Sequence, residues 1–495
     1  MEKWPDWITT QANTGSQYPY FMECSKGKKI YSFIAEDLLE NIPVQDRELE
    51  ISSVIDILHG GYIYGDKTLI KGIQRVPWLA KENENKDWEY IDIPKHGHKK
   101  EDTSKASVKI KSLLYQEILD YIGCGKKVGI LLSGGLDSRI IAGVIREAQL
   151  KKDYTGEVIV YNWGIEDSRD VIYAKRIADL YRWEYKHYPL TADSLKENIS
   201  SSLMVGAEIS PIHLHAMVKV RDDDKSDIIL AGTYGDSLGR GLYSGTHFSN
   251  LKNMMQGNIN KLGLIKDEVI KEQKSYIEND FYMYQSHLTD TKEPYQLREV
   301  EQNIHYLRRL LGTAMSIIAQ KKPIYQLFTS PAIVEYIWGL DKSVRNDEIY
   351  KEILRSLPEG IGSIPYAKTG KSFININENE EDNYYQGSHK YGAWLRNDLK
   401  SFIDKELDFE LLYKIGIFNE KNLHYIYELW PKATTDSVNK IDTAISWLTA
   451  FSLFLKKYDI QSEKNYSNNI VDTVNSIILM PKIRAYEILR NKLRK

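Results

Sequence analysis

Apolar runs of strand length alternate with helical patterns in the middle of the chain. Residues 127–132 (KVGILL) form a continuous apolar run, which is typical of a strand buried on both faces of a parallel sheet. Residues 136–149 then carry apolar side chains at helical spacing. The alternation continues with predicted strands at 156–164, 184–190 and 227–232, and with an amphipathic helix at 168–182. This order predicts an α/β fold with a doubly wound parallel sheet.

The segments before the predicted sheet have a different pattern. Residues 17–95 contain short apolar segments separated by Gly and Asp, which predicts a small β-rich part. A Lys-rich stretch at 93–107 follows, and we place a domain boundary there, which divides the chain into residues 1–100 and 101–495. The next pattern is helical, with Ser104 or Ser107 as its expected N-cap.

Beyond about residue 250 the pattern predicts a mainly helical C-terminal part. An acidic, polar stretch at 375–388 interrupts it, and we expect a mobile loop there. The tail at 482–495 is basic and helical, and a solvated helix face is its default interpretation.

The bulk composition narrows the class of protein. The formal net charge of the 495 residues is −3, so no general attraction to nucleic acid or to a membrane surface is expected. Cys24 and Cys124 are the only cysteines and lie far apart, so a disulfide framework is not expected. The N-terminus lacks the pattern of a secretory signal. We therefore expect a cytoplasmic protein, and a homo-oligomer is compatible with the sequence.

A glycine-rich turn joins the first predicted strand to its helix, in GILLSGGLDSRIIAG (129–143). Gly134 and Gly135 allow a sharp turn with free amide groups, and the helix directs its positive end at the same point. Ser133 and Ser138 add hydroxyl donors. Such a site suits phosphate, but Asp137 would repel phosphate unless a cation such as Mg²⁺ lies between them.

A second acidic loop follows the strand at 227–232. In LAGTYGDSLGRG (230–241), Gly232 leads into a turn that carries Asp236. Loops at the carboxyl ends of parallel strands converge on one crevice. We therefore predict that Asp137 and Asp236 hold one Mg²⁺ ion; the simpler interpretation of Asp236 is a helix cap.

Four segments in order resemble the asparagine synthetase family, the N-type ATP pyrophosphatases with a PP-loop. They are LLSGGLDSRIIAG, WGIEDSRDVIYAKRIADLY, AGTYGDSLGRG and RSLPEGIGSIPYAKTGKSF (355–373). The resemblance covers roughly residues 105–375 and implies an adenine nucleotide α-hydrolase-like synthetase domain. It also implies the reaction: ATP adenylates a substrate carboxylate, pyrophosphate leaves, and an amine (ammonia or a substrate amine) takes the acyl group.

The resemblance also assigns roles to individual residues. Lys368 matches the catalytic lysine, with Lys371 as the fallback, and Tyr234 lies in a loop where some members place a catalytic-site tyrosine. The binding residues for ATP and Mg²⁺ that it implies are Leu131, Ser133, Gly134, Gly135, Asp137, Ser138, Trp163, Ala231, Gly232 and Asp236.

Departures from the family pattern change the expected product. Glutamine-dependent members begin with Met-Cys, whereas this sequence begins Met1-Glu2, so residues 1–100 are expected to be a truncated, inactive glutaminase-like remnant. Thr233 stands where asparagine makers have a Glu, which argues against asparagine as the product. In both respects the chain is similar to the β-lactam synthetases and lasso-peptide cyclases, which act on small-molecule or peptide carboxylates and amines.

Several residues keep two interpretations at this point. Arg139 and Arg240 are candidates to meet a carboxylate or phosphate. Asp167 and Asp170 lie at a helix start, where capping is the simpler role. His213 and His215 either line the acceptor pocket or are structural. Two other functions also remain open: a non-catalytic nucleotide-binding descendant, and a PP-loop enzyme that modifies tRNA.

Overall fold

A computed structural model describes most of the chain, namely residues 19–24, 28–242, 244, 254–255, 257–288, 293–374, 383–462, 466 and 470–493. The predicted mobile loop at 375–388 falls largely outside the described residues, which resume at 383.

In its described residues, the N-terminal part combines short antiparallel strands with two α-helices. Its elements are β1 (Tyr20–Glu23), β2 (Lys29–Ser32), α1 (Ala35–Leu39), α2 (Ile51–Gly60), β3 (Gln74–Arg75), β4 (Ala80–Glu82) and β5 (Trp88–Tyr90). Within the described residues, the strands pair in the order β2-β1-β3 and, separately, β4-β5. The expected strands are therefore present.

Much of the N-terminal part is nevertheless not β-structure. Tyr62, Ile63, Leu69 and Ile70 are buried in irregular backbone between α2 and β3. These residues alternate with Gly and Asp and resemble strand segments in sequence, but they fill the core from turns. The prediction of a β-rich part was thus too simple, because apolar burial does not require a strand.

The central part alternates strands and helices as predicted. Its elements are α3 (Thr103–Ile122), β6 (Val128–Leu131), α4 (Leu136–Lys151), β7 (Val158–Gly164), α5 (Arg169–Tyr181), β8 (Glu184–Pro189), α6 (Ala192–Ser201), α7 (Met217–Asp222), β9 (Ile228–Ala231) and α8 (Gly235–Leu238). The predicted cap of α3 was wrong: Asp102 is the N-cap, and its Oδ1 accepts a hydrogen bond from the Lys105 amide at 2.8 Å.

The C-terminal part is mainly helical, as predicted. It contains α9 (Asp267–Tyr282), α10 (Pro294–Glu301), α11 (Thr313–Ala319), β10 (Ile324–Gln326), α12 (Pro331–Gly339), α13 (Asp347–Ser356), α14 (Tyr391–Arg396), α15 (Lys400–Glu406), α16 (Phe409–Lys414), α17 (Glu420–Leu429), α18 (Lys440–Tyr458) and α19 (Ile470–Leu493). A π-helical segment, Gln302–Gly312, joins α10 to α11.

The parallel sheet has the strand order β10-β9-β6-β7-β8 among the described residues. The central strand β6 pairs with β7 through Val128↔Val158 and with β9 through Val128↔Ile228. Every residue of β6 is buried, because one face packs against α3 and α4 and the other against the N- and C-terminal parts. This confirms a doubly wound α/β fold.

The N-terminal part is tied to the rest of the chain by buried charges. Glu208 Oε2 accepts hydrogen bonds from Arg75 Nε at 3.2 Å and from Arg309 Nη2 at 3.0 Å, and the Arg75 guanidinium also covers the Tyr20 ring. These side chains are at most 2% exposed. The boundary near residue 100 remains a prediction.

No helix in the described part of the chain combines the length and the apolar character needed to cross a bilayer.

Candidate functional site

The glycine loop lies between the end of β6 and the start of α4, as predicted. The Gly135 amide donates to Ser133 Oγ at 3.1 Å, and the Ser133 amide donates to Ser138 Oγ at 3.1 Å. The Gly134 amide donates to Asp170 Oδ1 at 2.8 Å. The expectation of free amides was therefore wrong at Gly134 and Gly135, since Asp170 Oδ1 and Ser133 Oγ accept their hydrogen bonds.

The second acidic loop lies directly against the first. A Cβ on Gly232 would be 2.5 Å from the Ser138 amide nitrogen, and one on Gly235 would be 2.7 Å from Asp137 Oδ1. Only glycine allows this approach. The residue after Gly235 is Asp236, so the two predicted metal ligands come from loops in contact.

Electrostatics at Asp137 fit a cation site. Burial, together with the negative charge of Asp236, raises the pKa of Asp137 to about 7, although Arg240 opposes this shift. Asp137 Oδ1 is buried, and the described residues offer it no hydrogen-bond partner. They contain no group of three or more acidic, His or Cys side chains arranged for a metal. Two carboxylates from adjoining loops would, however, be a donor set suited to Mg²⁺.

A cavity of about 170 Å³ opens above the strand ends. Six residues predicted to bind nucleotide or metal line it, and five further residues complete the wall. The lining residues are Leu131, Leu132, Ser133, Asp137, Ser138, Asn162, Trp163, Asp170, Gly232, Thr233 and Met315. Ala231, also predicted, is buried at the end of β9 directly before Gly232.

Thr233 replaces the expected Glu without bringing in another charge. Its hydroxyl lies 3.7 Å from the sulfur of Met315, which is on α11. This part of the cavity wall is therefore uncharged.

The segment that carries Lys368 reaches the glycine loop. The Ala367 amide donates to the Gly134 carbonyl at 3.1 Å, and Tyr366 pairs with Lys371 across a tight turn, here called the lysine turn (366–371). Lys368 and Lys371 are both exposed on this turn. The structure thus brings the predicted catalytic segment to the site, while the choice between the two lysines remains a prediction.

Tyr234 lies in the core, away from the cavity. Its side chain is 1% exposed, packs with the α4 side of the sheet, and does not occur among the described lining residues. Its φ of +80° is unusual for a non-glycine residue. The predicted catalytic role is not supported by this position; its backbone shapes the turn before Asp236.

The two arginines have different roles. Arg139 is fully buried and donates to the carbonyls of Ile364 and Pro365, so it does not meet a phosphate or carboxylate. Arg240 pairs with Asp347 at 2.8 Å. Burial opposes its charge, but Tyr350, Asp137 and Asp347 together raise the pKa of Arg240, so it adds positive charge near Asp137.

Asp170 has a larger part in the site than its sequence position indicates. It was interpreted first as a capping residue, yet its carboxylate lines the cavity and holds Gly134. No local sequence feature identifies a contact across 36 residues. Asp167 is exposed, as a helix-start residue is expected to be.

Four rings gather beside Trp163, namely His213, His215, His389 and Tyr391, and the five together are here called the ring cluster. The His215 ring is 6.2 Å from the Trp163 ring, and its Nδ1 lies 3.1 Å from the Tyr391 hydroxyl. Burial lowers the pKa of His215 to about 3 and of His213 to about 4. This supports an uncharged lining beside the cavity.

The fold and this site define an α/β domain whose central parallel strand ends in a glycine loop beside a cavity. The residues that follow this central strand are Ser-Gly-Gly-Leu-Asp-Ser, 133–138. Residues 109–318 match the model of the asparagine synthase family, so this part of the chain is similar to that family. The match supports ATP-dependent amidation or adenylation in general.

Three solved structures show weaker similarity. The NMN synthetase from Francisella tularensis is 12% identical over 42% of this chain and 97% of that chain (TM-score 0.23). The U34-tRNA thiolase NcsA from Methanococcus maripaludis is 16% identical over 44% of this chain and 78% of that chain (TM-score 0.23). A predicted subunit of tRNA methyltransferase from Methanocaldococcus jannaschii is 16% identical over 30% of this chain and 65% of that chain (TM-score 0.16). A search of curated proteins gave no significant match.

Proposed function

We propose that this protein is an ATP-dependent amide-bond-forming ligase. A substrate carboxylate oxygen attacks the α-phosphorus of ATP, the bond to the bridging oxygen breaks, and pyrophosphate leaves. The nitrogen of an amine then attacks the acyl carbon, AMP leaves, and the amine loses a proton. The observation that carries the proposal is the contact between the Asp137 loop and the Gly235–Asp236 loop at the cavity.

The chain's own groups fit the first step. Ser133 and Ser138 offer hydroxyls, and the N-terminal end of α4 adds partial positive charge, for the leaving pyrophosphate. Lys368, on the turn beside Gly134, supplies positive charge to the α-phosphate. Leu131 and Trp163 offer apolar surface to adenine.

Asp137 and Asp236 are the residues that would hold Mg²⁺. The ion would neutralise charge on the departing pyrophosphate. The buried Asp137 oxygen has no hydrogen-bond partner among the described residues, and a cation bound there would satisfy it.

The uncharged wall at Thr233 and Met315 favours an amine carried on a larger substrate over ammonia. The ring cluster continues from this wall through Trp163. We therefore place the acceptor amine beside this wall.

ATP–pyrophosphate exchange across amino acids, β-amino acids and peptides tests the proposal. Exchange should require Mg²⁺ and one class of carboxylic acid. Asp137→Ala and Asp236→Ala should each abolish it, whereas Asp179→Ala, which removes an exposed carboxylate on α5, should not. Full exchange in either site variant would refute the metal assignment. Tight ATP binding without exchange for any acid would favour a non-catalytic nucleotide-binding protein.

A further inference from the structure

Gly134 uses both of its backbone polar groups to join three other segments. Its N–H donates to Asp170 Oδ1 at 2.8 Å. Its carbonyl accepts from the Ala367 amide at 3.1 Å and from Arg139 Nη2 at 3.3 Å. The segments are the start of α5, the lysine turn and the first turn of α4. A residue expected to bind phosphate is therefore already fully engaged.

The contacts are close enough to require glycine. A Cβ at position 134 would lie 2.7 Å from Ala367 Cβ and 3.2 Å from Asp170 Oδ1. Real Cβ atoms do not approach a methyl group this closely without displacement of one of them. The lysine turn is thus seated directly on the glycine loop.

Arg139 joins the glycine loop to the segment before the lysine turn, on the carbonyl side of Gly134. Besides the Gly134 carbonyl, its guanidinium donates to the Ile364 carbonyl at 2.5 Å and to the Pro365 carbonyl at 2.9 Å. The side chain is 0% exposed, and burial lowers its pKa to about 10, so it stays charged at neutral pH. A planar fork that reaches three carbonyls is a geometry that arginine provides and lysine does not.

Asp170 acts as an acceptor, and the described part of the chain gives it no cationic partner. The influences on its pKa are burial, which raises it, and the Gly134 hydrogen bond, which lowers it. An acceptor oxygen at this position is what Gly134 needs, and a full negative charge is not required for that bond.

We propose that Asp170 and Arg139 are positioning residues that clamp Gly134 from its two sides. The clamp fixes the shape of the phosphate loop and the seat of the lysine turn, and pyrophosphate binds the remaining donors of the loop. This inference rests on the proposed function, because it assumes that the loop receives pyrophosphate.

Calorimetric binding of Mg²⁺–pyrophosphate and of adenosine to the full chain tests the clamp. Asp170→Ala should weaken pyrophosphate binding about tenfold, since it removes one hydrogen bond to a site-forming group. Asp170→Asn keeps an acceptor oxygen and should restore binding to within about twofold. Asp167→Ala removes an exposed carboxylate three residues earlier and should change neither affinity.

Adenosine binding distinguishes a loss of loop positioning in Asp170→Ala from general misfolding of the variant. Its affinity should fall much less than that of pyrophosphate in Asp170→Ala, because Leu131 and Trp163 supply its apolar contacts, whereas a misfolded variant would lose both ligands. Unchanged or tighter pyrophosphate binding in Asp170→Ala would overturn the clamp. It would mean that Asp170 has no effect on pyrophosphate or repels it. If Asp170→Asn binds pyrophosphate as weakly as Asp170→Ala, the negative charge of Asp170 matters and its hydrogen-bond acceptance does not. That result would also overturn the clamp. Absence of pyrophosphate binding by the unaltered protein would instead refute the proposed function.

Discussion

Asp137 Oδ1 lies 2.7 Å from the point that a Cβ on Gly235 would occupy. Gly235 is also held by the Tyr350 hydroxyl, which donates to its carbonyl at 2.7 Å. The two acidic loops are therefore packed against each other with no space for a side chain at position 235. The close approach of the Asp137 and Asp236 loops therefore requires glycine at position 235.

Gly235→Ala should weaken Mg²⁺–ATP binding by about tenfold or more. The added methyl group must displace Asp137 or the Phe328 ring, and overpacking of this kind costs about 1–3 kcal/mol. Calorimetric titration with Mg²⁺–ATP measures the effect. Gly125→Ala is the matched control, because nothing lies within 4 Å of its added Cβ. Equal affinity in both variants would show that the two loops tolerate separation.

Glu208→Gln should lower the free energy of unfolding by about 3–5 kcal/mol. It leaves the buried guanidinium groups of Arg75 and Arg309 without their shared carboxylate. Urea denaturation provides the measurement, and the loss should appear in one transition if both parts of the chain unfold together. Asp179→Asn removes an exposed ion pair with Lys175 and should change stability by less than about 1 kcal/mol. Two separate transitions would show that the N-terminal part is independent.

The sequence was most informative where local pattern and topology coincide. The apolar run of β6 and the Ser-Gly-Gly turn predicted both the buried strand and the loop. Convergence of parallel strand ends then predicted that the Asp137 and Asp236 loops meet. The strand β10 was missed, because Ile324–Gln326 is three residues long and lies between helices.

Tertiary contacts account for the residues that were misinterpreted. Asp170 and Arg139 resemble an ordinary helix start and an ordinary helix arginine in sequence. Their roles follow from Gly134 and from the carbonyls of Ile364 and Pro365, more than 30 and 200 residues away. Tyr234 was misjudged because a tyrosine beside a metal loop can face either the cavity or the core.

Arg139→Lys should increase cleavage near the lysine turn and destabilise the protein by about 1–3 kcal/mol. Lysine cannot serve the three carbonyls at once, so at least one buried acceptor loses its donor. Limited proteolysis followed by mass spectrometry would locate the cleavage. Arg355→Lys, at an exposed position on α13, is the control. Identical cleavage patterns in the two variants would contradict the clamp.

Stability should fall in mild acid, in part because of His305. Its Nε2 faces the Phe281 carbonyl at 2.9 Å, and its Nδ1 is buried with no partner among the described residues. Burial, followed by Arg308, Arg309 and Lys67, lowers its pKa from 6.5 to about 3. The unfolded chain therefore binds the proton more readily between these values, so stability is full above pH 6.5 and is lost as the pH falls.

The size of this effect is measurable against a variant. From pH 6.5 to pH 5, His305 alone should remove up to about 2 kcal/mol of unfolding free energy. His305→Gln cannot titrate and should show a flatter dependence on pH, whatever its absolute stability. Urea denaturation at several pH values compares the two slopes. Parallel slopes would mean that His305 is not the group responsible.

His215→Ala should raise the KM for the acceptor amine about tenfold or more and leave ATP–pyrophosphate exchange within about twofold. The His215 ring stacks beside Trp163 and bonds Tyr391, but it contacts neither the glycine loop nor Asp236 in any described interaction. The measurement uses the acid and amine that the exchange screen identifies. Tyr391→Phe removes only the hydroxyl beside His215 Nδ1 and should have a smaller effect on KM. If exchange falls in parallel with amide formation, the ring cluster serves the adenylation step and the acceptor binds elsewhere.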